Sequence, residues 1–263
     1  MRIRATLAAA TVSGALALTA LAVPTAQADE VVGDTTISNV VVNSAKPVVV
    51  GTTNKVTFTV SFTATDDSGV SWAQTVLWHG TDFDNDMDGG LVSEADKATC
   101  TTVSGTTANC KQSFTVDPQA DLVNALAGGG WKVWALAQGN DADYIEKDNA
   151  KGFSLQRYSK LTVNASPEPV KKGGTLTATG ALTRANWDTH KYAGYTSQPV
   201  KLQFRKTSSS TYPTTYLKTA TSSSTGSLKS TSTASYDGYW RYYFLGTSTT
   251  PAVKATGDFV DVQ

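Results

Sequence analysis

Histidine, cysteine and methionine are scarce, with two of each in 263 residues. His79 and His190 fall in different halves of the chain, so any histidine-dependent triad would have to rest on one of them alone. No G-x-S-x-G elbow, H-E-x-x-H helix or phosphate-cradling glycine loop is present. Acids are plentiful, but none has the apolar surround that would raise a catalytic carboxyl. The chain is expected not to be an enzyme. Beyond Val23 no apolar run is long enough to span a bilayer. Neither sign of charge is in excess, 22 Lys and Arg standing against 22 Asp and Glu. That balance removes the electrostatic case for nucleic acid or an anionic membrane as partner.

The first residues read as a targeting segment. Arg2 and Arg4 form a positive start, Leu7 to Val23 is largely apolar, and Ala26-Gln27-Ala28 is a small-residue cleavage site. Residues 1–28 are therefore expected to be a signal peptide, the mature chain beginning at Asp29. The C-terminal Asp258 to Gln263 carries no sorting tail, so a secreted protein without a membrane anchor and with an extracellular partner is expected. Export places Cys100 and Cys110 in an oxidising compartment. They lie symmetrically about Gly105 in a turn-like stretch, which predicts a disulfide across a hairpin.

The rest is β-like. Val56, Phe58, Val60, Phe62 and Ala64 alternate with polar residues, the mark of a half-buried strand. Further strands are predicted at Ile37–Val42, Val70–Trp78, the two cysteine segments, Trp131–Ala137 and Phe153–Arg157, making seven. Asp117-Pro118 predicts a short helix over Gln119–Leu126, capped by Asp117 and ended by Gly128 to Gly130. Val42 to Gly51 is echoed by Val163 to Gly173, and seven more strands follow. These are Leu161–Ala165, Thr175–Leu182, Val200–Arg205, Thr214–Thr219, Ser227–Ala234, Tyr239–Leu245 and Asp258–Val262. The reading is all-β: two tandem immunoglobulin-like antiparallel β-sandwich domains after a cleaved signal peptide, at 29–158 and 159–263.

The pattern Val163-x-Ala165-x-Pro167, Val170-x-x-Gly173, Gln198-Pro-Val-x-Leu202 and Gly238-Tyr-Trp-Arg-Tyr with Gly246-Thr-Ser248 resembles bacterial extracellular immunoglobulin-like domains. The two-domain layout is similar to an uncharacterised family of exported actinobacterial proteins, some labelled calcium-binding. The resemblance implies the fold and carries no mechanism.

Thr81 to Asp96 gathers six acids in sixteen residues. Asp84-Asn-Asp86-Met-Asp88-Gly89 has carboxylates at alternate positions followed by a glycine, the pattern a calcium loop requires. Asp84, Asp86 and Asp88 would fill positions 1, 3 and 5, with the Gly90 carbonyl at 7. Position 12 is Ala95 where a calcium hand has glutamate, so Glu94 or Asp96 would have to swing in. The other reading is a solvated acidic loop. Strand counting sets this stretch, with Asp117 and Asp121, at the end where the second domain begins, so a bound calcium would stiffen the joint. A second acidic loop, Asn140 to Asp148, falls at the far end; it lacks the D-x-D-x-D-G spacing and reads as a polar hairpin in preference to a second metal site. Trp187, His190, Tyr192 and Tyr195 lie in one long connection, 185–198. They could form a platform for a sugar or cell-surface ligand, but a cap on the sandwich is the preferred reading. A third reading is a purely structural spacer.

Overall fold

The computed structural model describes residues 29–263; the expected signal segment, 1–28, lies outside the described residues. The first half contains β1 (Glu30–Val32), β2 (Thr36–Val42), β3 (Val48–Val50), β4 (Val56–Thr65), β5 (Val70–Asp82), β6 (Asp86–Leu91), β7 (Thr99–Ser104), β8 (Thr107–Val116), β9 (Gly128–Gly139) and β10 (Tyr144–Arg157). One sheet runs β1-β10-β9-β5-β6, with β3 beside β10, and the facing sheet runs β2-β4-β8-β7. The alternation in β4 buries Phe58, Val60, Phe62 and Ala64. β8 answers with Ala108, Cys110, Phe114 and Val116, and β9 with Trp131, Val133, Ala135 and Ala137. Each large apolar side chain so buried contributes about 1.5–3 kcal/mol.

The second half contains β11 (Ser159–Leu161), β12 (Asn164–Ser166), β13 (Thr175–Asn186), β14 (Lys191–Gly194), β15 (Pro199–Lys206), β16 (Lys218–Thr221), β17 (Ser227–Thr233), β18 (Gly238–Phe244), β19 (Val253–Lys254) and β20 (Asp258–Val260). β13 is the centre of one sheet, pairing with β11, β12, β14 and β17. The other runs β16-β15-β18-β19, with β20 also on β18. The molecule is thus two immunoglobulin-like sandwiches, each with its own buried cluster.

Several expectations differ from the observed elements; the strand expected at Thr214–Thr219, for one, forms at Lys218–Thr221 as β16. No α-helix forms over Gln119–Leu126; a single turn follows Asp117, whose carboxylate accepts from Gln119 N (2.9 Å), and a 3-10 turn covers Asn124–Leu126. Gly128 to Gly130 open β9 instead of ending a helix. The segment is too short to be stable without a packed face, and Leu122 and Leu126 drop separately into the core. The acidic stretch also contains strand β6, and Leu161–Ala165 is divided between β11 and β12.

The disulfide is formed. Cys100 and Cys110 stand opposite each other on β7 and β8 and are bonded. Closing so short a loop contributes about 2–3 kcal/mol in the chain-entropy account.

Candidate functional site

The acidic stretch is a β-hairpin. β5 runs on to Asp82, the tip is Phe83 to Asn85, and β6 returns from Asp86. Asp82 Oδ1 accepts from Asp84 N (3.0 Å), Asn85 N (2.9 Å) and Asn85 Nδ2 (3.0 Å), so this carboxylate closes the turn. Phe83 folds back to stack on Trp134 and to meet Trp78 edge-on. Asp86 accepts from the Thr81 hydroxyl, and Asp88 Oδ1 lies 2.5 Å from His79 Nδ1. Gly89 lies in the strand against Leu126, where a Cβ would come within 3.0 Å of that side chain. Its role is packing, not the sharp turn of a calcium loop. Beyond Leu91 the chain bends away. Ala95 O accepts from Gln112 Nε2 (2.7 Å) on β8, which draws Glu94 and Asp96 towards the other sheet.

The six expected ligands, Asp84, Asp86, Asp88, Gly90, Glu94 and Asp96, are therefore not brought into one shell. Among the described residues, none of the carboxylates from 82 to 96 belongs to a group of three with ligand atoms within 4.8 Å of one another. The pattern is the same as in a calcium loop, but strand pairing sets the Asp86 carboxylate against Thr81 and that of Asp88 against His79. Near the tip, the Asp148 carboxyl is pushed up by burial and then by the charge of Asp84.

Two such groups do occur, at the opposite pole. Asp34, Asp66 and Asp143 form one, and Asp66, Asp67 and Asp141 the other. Three turns supply them: β1 to β2, β4 to β5, and β9 to β10. Asp66 is 1% exposed. Its Oδ2 accepts from Thr35 Oγ1 (2.5 Å) and its Oδ1 from Ser68 N (2.9 Å) and Ser68 Oγ. Burial alone would raise its carboxyl, but these hydrogen bonds outweigh burial and hold it below the usual range. Asp67 is pushed the other way, chiefly by the charge of Asp34. Gly33 and Gly139 make room for the carboxylates of Asp143 and Asp66, since a Cβ on either would collide with them. Among the described residues no lysine or arginine forms an ion pair with any of the five acids. These clusters can hold a metal ion. Sequence spacing hides them, because each turn contributes only one or two acids; Asp66-Asp67 and Asp141-x-Asp143 become one site only when both turns are assigned to the same pole.

The long connection 185–198 is not an open platform. Trp187 is 0% exposed and belongs to the core of the first sandwich. Its N donates to Asn124 Oδ1 (2.9 Å) and its Nε1 to Gly51 O (2.9 Å). Asn124 completes the clasp by donating N to Asp188 Oδ1 (2.9 Å) and Nδ2 to Asn186 Oδ1 (2.9 Å). Arg157, 8% exposed, donates Nε to Ala185 O (2.6 Å) and its backbone N to Thr249 O (2.9 Å). Burial and the neighbouring Arg184 push its guanidinium down to about 10, so it stays charged at neutral pH. Tyr192 lies under Lys160 and Tyr195 under Arg184. His190 sits in the turn, near enough to Asp117 to lower that carboxyl, though less than the Gln119 N–H and Lys55 do. The Trp187 ring thus offers no face to a ligand, and Asn124, Arg157 and Asp188 are joint residues that sequence spacing does not mark.

Residues 41–137 match a family described as "Family of unknown function (DUF5707)". No curated protein matches the chain. Among solved structures, it is similar to a chimeric titin Z1Z2 carrying a decorin peptide (11% identity, TM-score 0.24, covering 90% of this chain and 98% of that one). It is likewise similar to the D0-D1 domain of intimin (14%, 0.27, 86% and 98%) and to the mouse nectin-like molecule 4 ectodomain (12%, 0.24, 88% and 65%).

Proposed function

We propose that the chain is a non-catalytic, exported spacer whose two sandwiches move as one rigid body. The observation that carries this reading is Trp187, a second-half side chain wholly enclosed by the first core. A flexible tether would need no such plug, and withdrawing it would expose a large aromatic surface together with several buried hydrogen-bonding groups. The joint is stiffened by the polypeptide itself and not by a metal. Spin labels at exposed Ser38 and Lys229 of the mature chain test it. A single narrow distance distribution, unchanged by chelator, is expected; a broad one overturns the reading.

A second reading is favoured by Asp66, a buried carboxylate held ionised among four others. This pole takes up a hard dication, calcium foremost, in place of the acidic hairpin. Oxygen ligands on short turns suit calcium, and extracellular modules bind it at about 10⁻⁴–10⁻³ M. Tenfold excess over such a constant would add only about 1.4 kcal/mol of stability. Calorimetric titration of calcium into the chelator-treated mature chain should lose its heat on Asp143→Asn and keep it on Asp86→Asn. The reverse result would return the ion to the hairpin. The site is about 36 Å from the joint along β9, from twelve residues at strand rise. An ion there stabilises the first sandwich without touching the hinge.

A further inference from the structure

The neutral overall balance conceals a division of charge. Residues 29–158 carry eight Lys and Arg against seventeen Asp and Glu, 8 − 17 = −9. Residues 159–263 carry twelve against five, 12 − 5 = +7. The positive charge is not spread evenly over the second sandwich. Along β15 the outward positions are Lys201, Gln203 and Arg205, and they pair with Tyr243, Arg241 and Tyr239 of β18. Lys254 of β19 lies beside Tyr243, and Phe259 of β20 beside Tyr239. The acid in these strands, Asp258, turns to the other face, where its Oδ2 accepts from Ala165 N (2.7 Å). Apart from Gln203, the outward positions of β15, β18, β19 and β20 therefore hold cations and aromatic rings and no carboxylate.

The cations are also held in place. Arg205 stacks on Tyr239 at 3.9 Å and Arg241 on Tyr212 at 3.7 Å, with Arg205 also 5.4 Å from the Tyr212 ring. Two like-charged guanidinium groups thus share one ring. Arg241 Nε donates to Gln203 Oε1 (2.9 Å) and Arg205 Nη1 to Ser209 O (2.6 Å), contacts that orient each plane without neutralising it. Among the described residues none of Lys201, Arg205, Arg241 and Lys254 forms an ion pair with a carboxylate.

We propose that this sheet face docks an acidic polysaccharide. Fixed guanidinium planes recognise carboxylates in bidentate fashion. Lys201 and Arg205 are four residues apart on one strand, about 13 Å, so a single small anion cannot satisfy both. A chain with a carboxylate on each unit can. The rings argue against single-stranded nucleic acid, which needs open aromatic faces for its bases. Here Tyr212, Tyr239 and Tyr243 each have a cation over the ring. The more exposed Phe259 stands at the rim, where it suits the apolar side of a sugar, and Tyr216, with Lys201 Nζ 5.6 Å from its ring, is a further exposed aromatic of this half.

The test uses the mature chain with sodium polygalacturonate as probe and neutral dextran as control. Binding is expected at about 20 mM salt, weakened about tenfold or more at about 300 mM, with no binding to dextran. Arg205→Glu/Arg241→Glu and, separately, Lys201→Glu/Lys254→Glu should each weaken binding about tenfold, while Lys97→Glu/Lys111→Glu in the first sandwich changes it less than about twofold. Should the arginine pair unfold, as a melting curve would show, the lysine pair decides. The proposal is overturned by no binding at low salt, by full binding in the folded lysine variant, or by tighter binding to polyuridylate. Salt-sensitive dimerisation in sedimentation, abolished by the same variants, would also overturn it and assign the face to the acidic half of a second copy.

Discussion

Replacing Trp187 with alanine is expected to lower the unfolding free energy by about 3–5 kcal/mol, the range for truncating a buried aromatic side chain. For a chain of this size that is a fall of roughly 10 °C in melting temperature. The side chain is wholly enclosed, so its loss leaves a cavity at the joint and removes the donor to Gly51 O. The shape of the transition is as informative as its midpoint. The two cores are coupled through this ring, so the wild type should melt in one step and Trp187→Ala in two, the halves unfolding independently. Trp187→Phe should preserve the single step at a cost of about 1–2 kcal/mol, because it fills most of the space but leaves Gly51 O without its donor. Calorimetry of the three proteins decides the matter. A loss below about 1 kcal/mol in Trp187→Ala, or two transitions already in the wild type, would mean that the ring does not couple the sandwiches and would remove the basis for a rigid spacer.

Where one face is buried, period-two alternation shows through in the sequence. Val56 to Ala64 is legible as a strand from its alternation alone, and the inward residues of that run form the core. The cysteine pair is legible for the same reason, since its spacing about Gly105 fixes a hairpin register. β6 is hidden because Asp86, Asp88, Gly89 and Gly90 have low strand propensity, and the pairing is imposed by β5 and by the packing of Gly89 on Leu126. The same tertiary pairing leaves the hairpin carboxylates outside any common cluster of three. A ligand pattern specifies a shell only if the backbone is free to wrap, and a ladder of hydrogen bonds to β5 removes that freedom. The distal carboxylates fail in the opposite sense. No local pattern joins Asp34, Asp66 and Asp141, because what they share is a pole of the sandwich and not a stretch of chain. Trp187 illustrates the limit of assigning function to loop aromatics. Its position between strands suggests exposure, yet the neighbouring domain covers it, and no property of the segment itself carries that information.

Gly226→Ala is expected to be the other costly substitution, and a second glycine shows why. Gly226 and Gly173 both have φ of +81°, so alanine at either pays the left-handed penalty of about 1–2 kcal/mol. They differ in surroundings. A Cβ on Gly173 would meet nothing within 4 Å, whereas one on Gly226 would lie closer than 3.0 Å to Leu182 O and Gly194 Cα. Both obstacles are backbone and cannot swing aside. Leu182 N also donates to Gly226 O (2.8 Å), so the collision falls on a bond that ties this turn to β13. Gly173→Ala should therefore cost about 1–2 kcal/mol, and Gly226→Ala about 3 kcal/mol or more. The difference bears on the joint as well as on stability. Leu182 and Gly194 lie on the two strands of the β13–β14 hairpin, whose far end carries Trp187 and Asp188 into the first sandwich. Forcing the 225–226 turn away from the base of that hairpin tilts its tip. In Gly226→Ala the Ser38–Lys229 distance distribution should broaden, while in Gly173→Ala it should keep the wild-type width. Equal melting temperatures for the two variants would show that the turn yields without strain. A broadened distribution in Gly173→Ala would show that the joint responds to global destabilisation and not to the seat of the hairpin.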